Sequence, residues 1–274
     1  MGDRPRVIDA HVHLLPGRLG QKVRSIFEDL GGYALAYPAD HAAICEQLAH
    51  EGVDALWTLH YAHRPGVARS LNDAAQATAT SHLAVQVVAG ATVHPDDTDA
   101  VGVVRAAVED GGARVLKLHC SVGGFEPTAP GLEAVWAYVA EVHVPVVVHA
   151  GHAVNGVSER DELTAIDEVA RRHPEARVII AHCGHHAEEH ALDLVDRHPH
   201  VYADLTPVVD RLVQVPAPRA QVLWHKLLYG TDAPNTTLDG PTCQAHGRSF
   251  GLSDDALDAV LGGNAARLVA EVRS

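Results

Sequence analysis

Short apolar runs recur along the chain, and most are followed by a segment in which apolar residues repeat at helical spacing. Several runs, such as 145–148 and 178–181, are apolar at consecutive positions, as is typical of strands buried on both faces of a parallel sheet. The alternation predicts eight strands separated by helical segments. We place the strands at residues 7–13, 53–59, 83–92, 114–119, 145–148, 177–181, 200–205 and 227–231.

This order of strands and helices predicts an α/β fold, specifically a (β/α)8 TIM barrel that forms a single domain over residues 1–274. The length supports one barrel, because such domains commonly have about 250 residues. No glycine-rich phosphate-binding loop follows the first strand, which argues against a dinucleotide-binding Rossmann fold.

Residues 14–38 are too long for an ordinary connection between a strand and a helix. The segment contains several glycines and prolines, and we expect part of it, residues 21–30, to be helical. Long loops in compact domains are often functional. We therefore interpret residues 14–38 as an active-site flap, with a solvated surface excursion as the alternative.

The composition is that of an ordinary globular protein, with 47% hydrophobic and 20% charged residues. The formal net charge of −14 argues against nucleic acid or an anionic membrane as a partner, so we expect a small-molecule substrate.

No apolar stretch approaches the ~20 residues of a membrane-spanning helix, and no signal peptide is evident. The four cysteines form no CxxC pair, which agrees with a cytoplasmic protein. Homo-oligomerisation stays open.

Histidines and one aspartate follow the predicted strands. His11 and His13 are two residues apart at the end of the first strand, so their side chains face the same way and can bind one metal ion. His149 ends the fifth strand, His182 the sixth, and Asp232 the eighth. The C-terminal ends of barrel strands converge. Nitrogen and carboxylate donors suit Zn²⁺ or a similar divalent metal, so the sequence predicts a metal site at this end of the barrel.

At these positions the chain resembles the amidohydrolase superfamily, and in particular its amidohydrolase-2 branch. That branch includes lactone hydrolases and decarboxylases of the aminocarboxymuconate-semialdehyde and resorcylate type. The likeness extends from the first strand to the last helix. The stretches that carry it are Ile8-Asp9-Ala10-His11-Val12-His13, Val148-His149, Ala181-His182-Cys183-Gly184, Tyr229-Gly230-Thr231-Asp232-Ala233-Pro234 and Gly263-Asn264-Ala265-Ala266-Arg267-Leu268.

The resemblance implies that His11, His13, His149 and Asp232 bind one metal ion, with His182 beside the activated water or the substrate oxygen. It also implies that Asp232 and His182 are catalytic. Asp232 can take a proton from the water and return it to the leaving group. His182 can stabilise the negative charge that develops on the attacked oxygen.

Lys117 in the fourth strand raises the question of a second ion. In binuclear members of the superfamily a lysine from this strand is carboxylated and bridges two metals, and His182 is then also a ligand. Mononuclear relatives also carry a lysine here, so we expect one ion rather than two. A buried ammonium without a partner is costly. We therefore expect either a carbamate or a neighbouring carboxylate, such as Asp9, beside Lys117.

His152, Arg64 and Arg160 lie in loops at the same end of the predicted barrel and are candidate substrate contacts. An arginine there can hold a substrate carboxylate in bidentate fashion. The alternative is that these three are ordinary surface residues.

The leading hypothesis is a metal-dependent hydrolase that cleaves a lactone, ester or amide bond with metal-activated water. The alternatives are a metal-dependent non-oxidative decarboxylase of an aromatic or unsaturated carboxylic acid and a non-catalytic metal-binding barrel. With only 3 Phe and 3 Trp in the chain, hydrolysis is favoured.

Overall fold

A computed structural model describes residues 5–151 and 153–273, apart from the side chain of Leu30. Its eight parallel strands lie side by side in chain order and confirm the predicted TIM barrel. Each predicted strand contains the observed one. The strands are β1 (Ile8–Val12), β2 (Ala55–Thr58), β3 (Gln86–Thr92), β4 (Val115–Leu118), β5 (Val146–Val148), β6 (Val178–Ile180), β7 (Val201–Asp204) and β8 (Leu227–Leu228).

Backbone hydrogen bonds join the last strand region to the first. The Ala10 N–H donates to the Tyr229 carbonyl at 2.9 Å, and the Asp232 N–H donates to the His11 carbonyl at 2.9 Å. The His13 N–H donates to the Ala233 carbonyl at 2.7 Å. These bonds bring Asp232 next to the two histidines of β1.

Helices surround the barrel. Five of the described α-helices begin at a residue whose side chain caps the helix, as Asp40 does for Ala43 and Ser158 does for Asp161. No described helix has the length and apolar character that crossing a membrane requires. The helices are α1 (Gly17–Ser25), α2 (His41–His50), α3 (Ala68–Ala79), α4 (Ala100–Glu109), α5 (Cys120–Gly123), α6 (Glu133–Val142), α7 (Glu159–Arg172), α8 (Glu188–Arg197), α9 (Ala217–Leu223), α10 (Gly240–Arg248), α11 (Asp254–Asp258) and α12 (Asn264–Ala270).

The barrel interior changes from apolar to polar along the strands. Val115, Val147 and Ile179 belong to one buried cluster inside the barrel. Because side chains alternate between the two faces of a strand, residues two positions further along point inward as well. Those positions include Lys117 and His149. The apolar layer therefore supports a polar layer at the C-terminal ends of the strands.

Strand β1 contains an irregularity that affects its two histidines. Asp9 pairs with Leu56 but Val12 pairs with Thr58, so β1 has one residue more than β2 between these pairs. Ala10 packs inside the barrel, whereas Val12 packs in the cluster outside it. Such a bulge changes the direction of the side chains that follow it.

Candidate functional site

Asp204, the last residue of β7, connects two histidines of the candidate site. Its Oδ2 atom accepts a hydrogen bond from His11 Nδ1 at 2.9 Å, and its Oδ1 atom accepts one from the backbone N–H of His182 at 2.8 Å. His182 Nδ1 donates to the Pro207 carbonyl oxygen at 3.2 Å. A carboxylate or a carbonyl can only accept, so Nδ1 carries the proton in both rings and Nε2 keeps its lone pair.

His13 reaches the same tautomer through a different acceptor. Its Nδ1 atom donates to the Leu59 carbonyl oxygen at 2.6 Å. Its Nε2 atom lies 3.1 Å from Asp232 Oδ1, and the Nε2 atom of His11 lies 3.9 Å from the same oxygen. A lone pair and a carboxylate oxygen at such distances repel each other unless a proton or a cation lies between them. Positive charge at this point therefore stabilises the arrangement.

The ligand atoms of His11, His182 and Asp232 all lie within 4.8 Å of one another, and the three residues are buried. Burial, together with the charge of Lys117, lowers the pKa of His11 to about 3. Burial also lowers the pKa of His182. Both rings are neutral near pH 7, and neutral imidazole with carboxylate is a donor set that Zn²⁺ accepts.

The carboxyl group of Asp232 stays ionised. Burial on its own raises its pKa, but a proton or cation shared with His13, His182 and His11 outweighs burial, so the pKa lies below its ordinary value. The backbone is left-handed at Asp232, with φ 65°, and at His182, with φ 54°. Such strained residues with a Cβ concentrate at functional sites.

Lys117 is fully buried in β4, and its Nζ atom lies 3.1 Å from His11 Nε2. Burial lowers the pKa of Lys117 to about 8. Asp9, which we considered as its partner, instead accepts a hydrogen bond from Thr231 Oγ1 at 2.6 Å and others from the backbone N–H groups of Thr231 and His11. Lys117 therefore lies with the candidate metal ligands and not with Asp9.

His149 lies at the edge of this group. Its ring centroid is 5.0 Å from that of His182, and the ring stacks on His119 with centroids 3.8 Å apart. Burial holds the pKa of His149 and of His119 well below the ordinary value. Within the described residues, the buried Nε2 atom of His149 has no hydrogen-bond partner. Since a buried polar atom normally has one, this nitrogen is suited to a ligand.

A cavity of about 390 Å³ opens at this end of the barrel. Four of its lining residues, at positions 26, 27, 31 and 33, belong to the segment 14–38 that we interpreted as a flap. The predicted site residues thus share a cavity with this segment. The lining residues are His13, Ile26, Phe27, Gly31, Tyr33, Tyr61, His119, His149, Val154, His182, Val208, Val209, Asp232 and Asn235.

Sequence reasoning gave no role to three residues of this region. Asp204 was placed on a strand, but its contact with His11 was not foreseen. Tyr61 and Asn235 are buried in the cavity wall, and among the described residues the Tyr61 hydroxyl has no hydrogen-bond partner. Asp204 and Tyr61 both lie at or just after a strand end, and that position is the signal that identifies them.

The predicted substrate contacts lie elsewhere or outside the described residues. Arg64 and Arg160 are exposed, and neither is among the described residues that line the cavity. His152 lies outside the described residues. His60 also follows a strand, but it is buried and its ring nitrogens lie 2.8 and 2.7 Å from two backbone carbonyl oxygens, so it serves the fold.

Comparisons with known proteins agree with this architecture. The model of the amidohydrolase-2 family, described as amidohydrolase, matches residues 8–270. No curated protein sequence gives a significant match. The fold is similar to that of an uncharacterized TIM-barrel protein from Bordetella bronchiseptica, with a TM-score of 0.77, 19% identity, and coverage of 97% of this chain and 99% of that chain.

Two enzymes of stated activity are also similar in fold. For 5-carboxyvanillate decarboxylase from Sphingomonas paucimobilis, the TM-score is 0.67 at 15% identity, covering 97% of this chain and 99% of that one. For dihydroorotase from Campylobacter jejuni, the TM-score is 0.61 at 12% identity, covering 97% of this chain and 83% of that one. At these identities the likeness shows the fold alone.

Proposed function

Because the chain belongs to the amidohydrolase family, we propose that it is a metal-dependent hydrolase that cleaves a lactone, ester or amide bond with metal-activated water. The family is enzymatic in general and its members act on small molecules, so the proposal concerns the reaction. A single observation carries it, namely the shared orientation of three histidines. His11, His13 and His182 each direct Nδ1 to an oxygen acceptor, which leaves the Nε2 lone pair on the same side as Asp232. The Nε2 atom of His11 also faces Lys117 Nζ.

The residues present suit a divalent ion. His11, His13, His182 and Asp232 would hold it, and His149 offers a further buried nitrogen without a partner among the described residues. When bound, such an ion lowers the pKa of a water molecule and polarises a carbonyl group. The hydrogen bonds on Nδ1 keep the histidine rings fixed, and partners of this kind typically matter for metal affinity.

The chain itself supplies proton transfer and hydrogen bonding. Asp232 is ionised, so its carboxylate can take a proton from the attacking water and give it to the leaving group. The Tyr61 hydroxyl lines the same cavity and is free, among the described residues, to donate to the substrate carbonyl. Burial, with a contribution from the charge of Asp232, raises the pKa of Tyr61, so the hydroxyl keeps its proton.

We propose one ion rather than two. The described ligand atoms that lie within 4.8 Å of one another form a single group. Lys117 Nζ lies 3.1 Å from His11 Nε2, where an unmodified lysine competes with a second ion. A carboxylated Lys117 with two equivalents of metal is the alternative, and metal stoichiometry separates the two.

The segment 14–38 is proposed to act as the flap of this site. The observation that supports this role is that Phe27 and Tyr33, which belong to the segment, line the cavity. A flap of this kind excludes water and orients the substrate.

Metal analysis and a substrate panel test the proposal together. We expect about one equivalent of Zn²⁺ or a similar ion in the wild type, and loss of that metal in the His11→Ala/His13→Ala variant. His50→Ala/His82→Ala is the matched control, since both residues lie away from the cavity lining. Lactones, esters and amides should be hydrolysed in a metal-dependent manner. Release of CO₂ from aromatic acids without any hydrolysis would instead identify a decarboxylase, and unchanged metal in the double variant would contradict the site.

A further inference from the structure

Four large apolar side chains are exposed in the described part of the chain, and their distribution is uneven. Ile26 is 47% and Val154 is 69% exposed, and both line the cavity that contains the candidate metal ligands. Val157 is 38% exposed and lines the adjoining cavity, which also includes His149. The fourth, Val222 in α9, lines neither cavity. Clustered exposed apolar groups of this kind mark a binding surface.

Large apolar and aromatic side chains line the cavity at every level of exposure, from fully buried to exposed at the surface. Tyr61 is buried, Phe27 and Tyr33 are half-buried, and Ile26 and Val154 are exposed. An apolar path thus extends from the candidate metal ligands to the surface. Its outermost members come from two separate segments, the flap segment 14–38 and the loop between β5 and α7.

The same wall offers little charge for binding an anion. Among the described lining residues there is no lysine or arginine, and the one carboxylate is that of Asp232. Neutral substrates suit this lining better than polyanionic ones.

We propose that the substrate is a neutral lactone, ester or amide that carries an apolar substituent, and that this substituent contacts Ile26 and Val154 at the cavity mouth. The proposal rests on the hydrolase function above and names the substrate class for that site. Complete burial of one methylene group corresponds to about a fourfold gain in binding. At a partly open mouth we therefore expect kcat/KM to rise about two- to threefold per added methylene until the substituent passes the rim.

A chain-length series tests this contact. The probes are γ-butyrolactone, γ-hexalactone, γ-octalactone and γ-decalactone, or the same substituents on whichever bond class the enzyme cleaves. Wild-type protein is compared with Ile26→Ser/Val154→Ser and with the control Val222→Ser. We expect the gain with chain length to persist in Val222→Ser and to fall to less than about 1.5-fold per methylene in the double variant.

A binding measurement keeps this inference separate from the proposed reaction. Cyclopentanones substituted with ethyl, butyl or hexyl groups resemble the lactones but cannot be hydrolysed, and calorimetry gives their affinities. A chain-length gain in binding that the double variant loses supports the contact even if no bond is cleaved, in which case only the hydrolase proposal fails. Hydrolysis or binding that is independent of chain length, or an equal gain in the double variant, overturns the inference. Loss of self-association in the double variant without any change in the chain-length gain assigns the surface to a second copy and also overturns it.

Discussion

Among the described residues two lysines are buried, one towards each end of the barrel, and their surroundings differ. Lys226 precedes β8 and donates to the carbonyl oxygens of Val195 and His198, each at 2.7 Å. Lys117 is in β4, and its Nζ atom lies 3.1 Å from His11 Nε2, with no carbonyl or carboxylate within hydrogen-bond distance among the described residues. A buried charge with carbonyl acceptors holds chain segments together. A buried ammonium whose hydrogen-bond neighbour, in the described part of the chain, is a candidate metal ligand is placed for chemistry.

The two ends of the barrel show the same contrast more widely. Near Lys226, the Asn264 side-chain amide donates to the carbonyl oxygens of Trp224 and Leu227, each at 2.8 Å. This contact gives a structural reason for the asparagine in the Asn-Ala-x-Arg-Leu stretch. At the opposite end, the buried His149 Nε2 lacks a partner in the described part of the chain. The hydrogen bonds of Lys226 and Asn264 serve stability, whereas the unpartnered nitrogen of His149 is suited to function.

The largest expected effect is on activity, at the C-terminal end of the strands where the candidate metal ligands lie. Asp232→Asn keeps the shape of the side chain but removes the base, so we expect kcat/KM to fall by about 10²–10⁴-fold. Steady-state kinetics on the hydrolysed substrate measures the loss, with metal content determined on the same sample. Asp210→Asn, an exposed carboxylate after β7, is the matched control and should stay within about twofold of wild type. Wild-type rates in Asp232→Asn would exclude it as the proton carrier.

A smaller effect, on stability, is expected at the other end of the barrel, around Lys226. Lys226→Met removes two charge-assisted hydrogen bonds and leaves two carbonyl groups without their donor. We expect the free energy of unfolding to fall by about 2 kcal/mol. Urea denaturation measures it, and kcat/KM should be unchanged.

Lys117→Met is the counterpart of that experiment. The substitution removes a buried charge that has no carbonyl or carboxylate partner at hydrogen-bond distance, so the free energy of unfolding should change by less than about 1 kcal/mol. Activity should instead fall by about 10–100-fold, since Lys117 contacts a candidate metal ligand. If both lysine variants lose stability equally, the distinction between the two ends is wrong.

The smallest effect concerns Glu162, a buried carboxyl group that accepts a hydrogen bond from the Gly151 N–H at 2.7 Å. Burial raises the pKa of Glu162 from 4.5 to about 7. Between these values the unfolded chain loses the proton while the native protein retains it, so stability falls as the pH rises from about 4.5 to 7. Glu162→Gln keeps an acceptor for Gly151 and removes the titration.

The free energy of unfolding of Glu162→Gln should therefore decline less steeply over that pH range than that of the wild type. Glu46→Gln on the exposed face of α2 is the control and should follow the wild type. Parallel profiles for Glu162→Gln and the wild type would show that this carboxyl titrates normally.

The sequence was informative where local pattern decides the structure. Consecutive apolar residues at 145–148 and 178–181 sufficed to place β5 and β6, and the residues after them were correctly located at the C-terminal barrel end. Helix α10 was missed because Gly240-Pro-Thr and Gly247 have low helix propensity. Its N-terminus depends on the Asp239 side chain, which accepts a hydrogen bond from the Thr242 N–H.

Contacts between distant segments were beyond such reasoning. The hydrogen bond between His11 and Asp204 spans 193 positions, and no local pattern encodes it. The same is true of the lysines, since Lys117 and Lys226 both precede a leucine and differ in what the fold places around them. Tyr61 was overlooked because a tyrosine after a strand is unremarkable until the cavity is known.

The irregularity in β1 bears on how proteins of this shape diverge. Ala10 is the last apolar residue of β1 that packs inside the barrel. The extra residue before Val12 changes the direction in which the side chains of His11 and His13 point. His11 and His13 are held separately, through backbone bonds to Asp232 and Ala233. Core residues such as Ile8 can therefore be exchanged for others of different size with little consequence for the direction of the imidazoles. The interior side chains of this five-residue strand can therefore change during evolution while the histidines at its C-terminal end keep their direction.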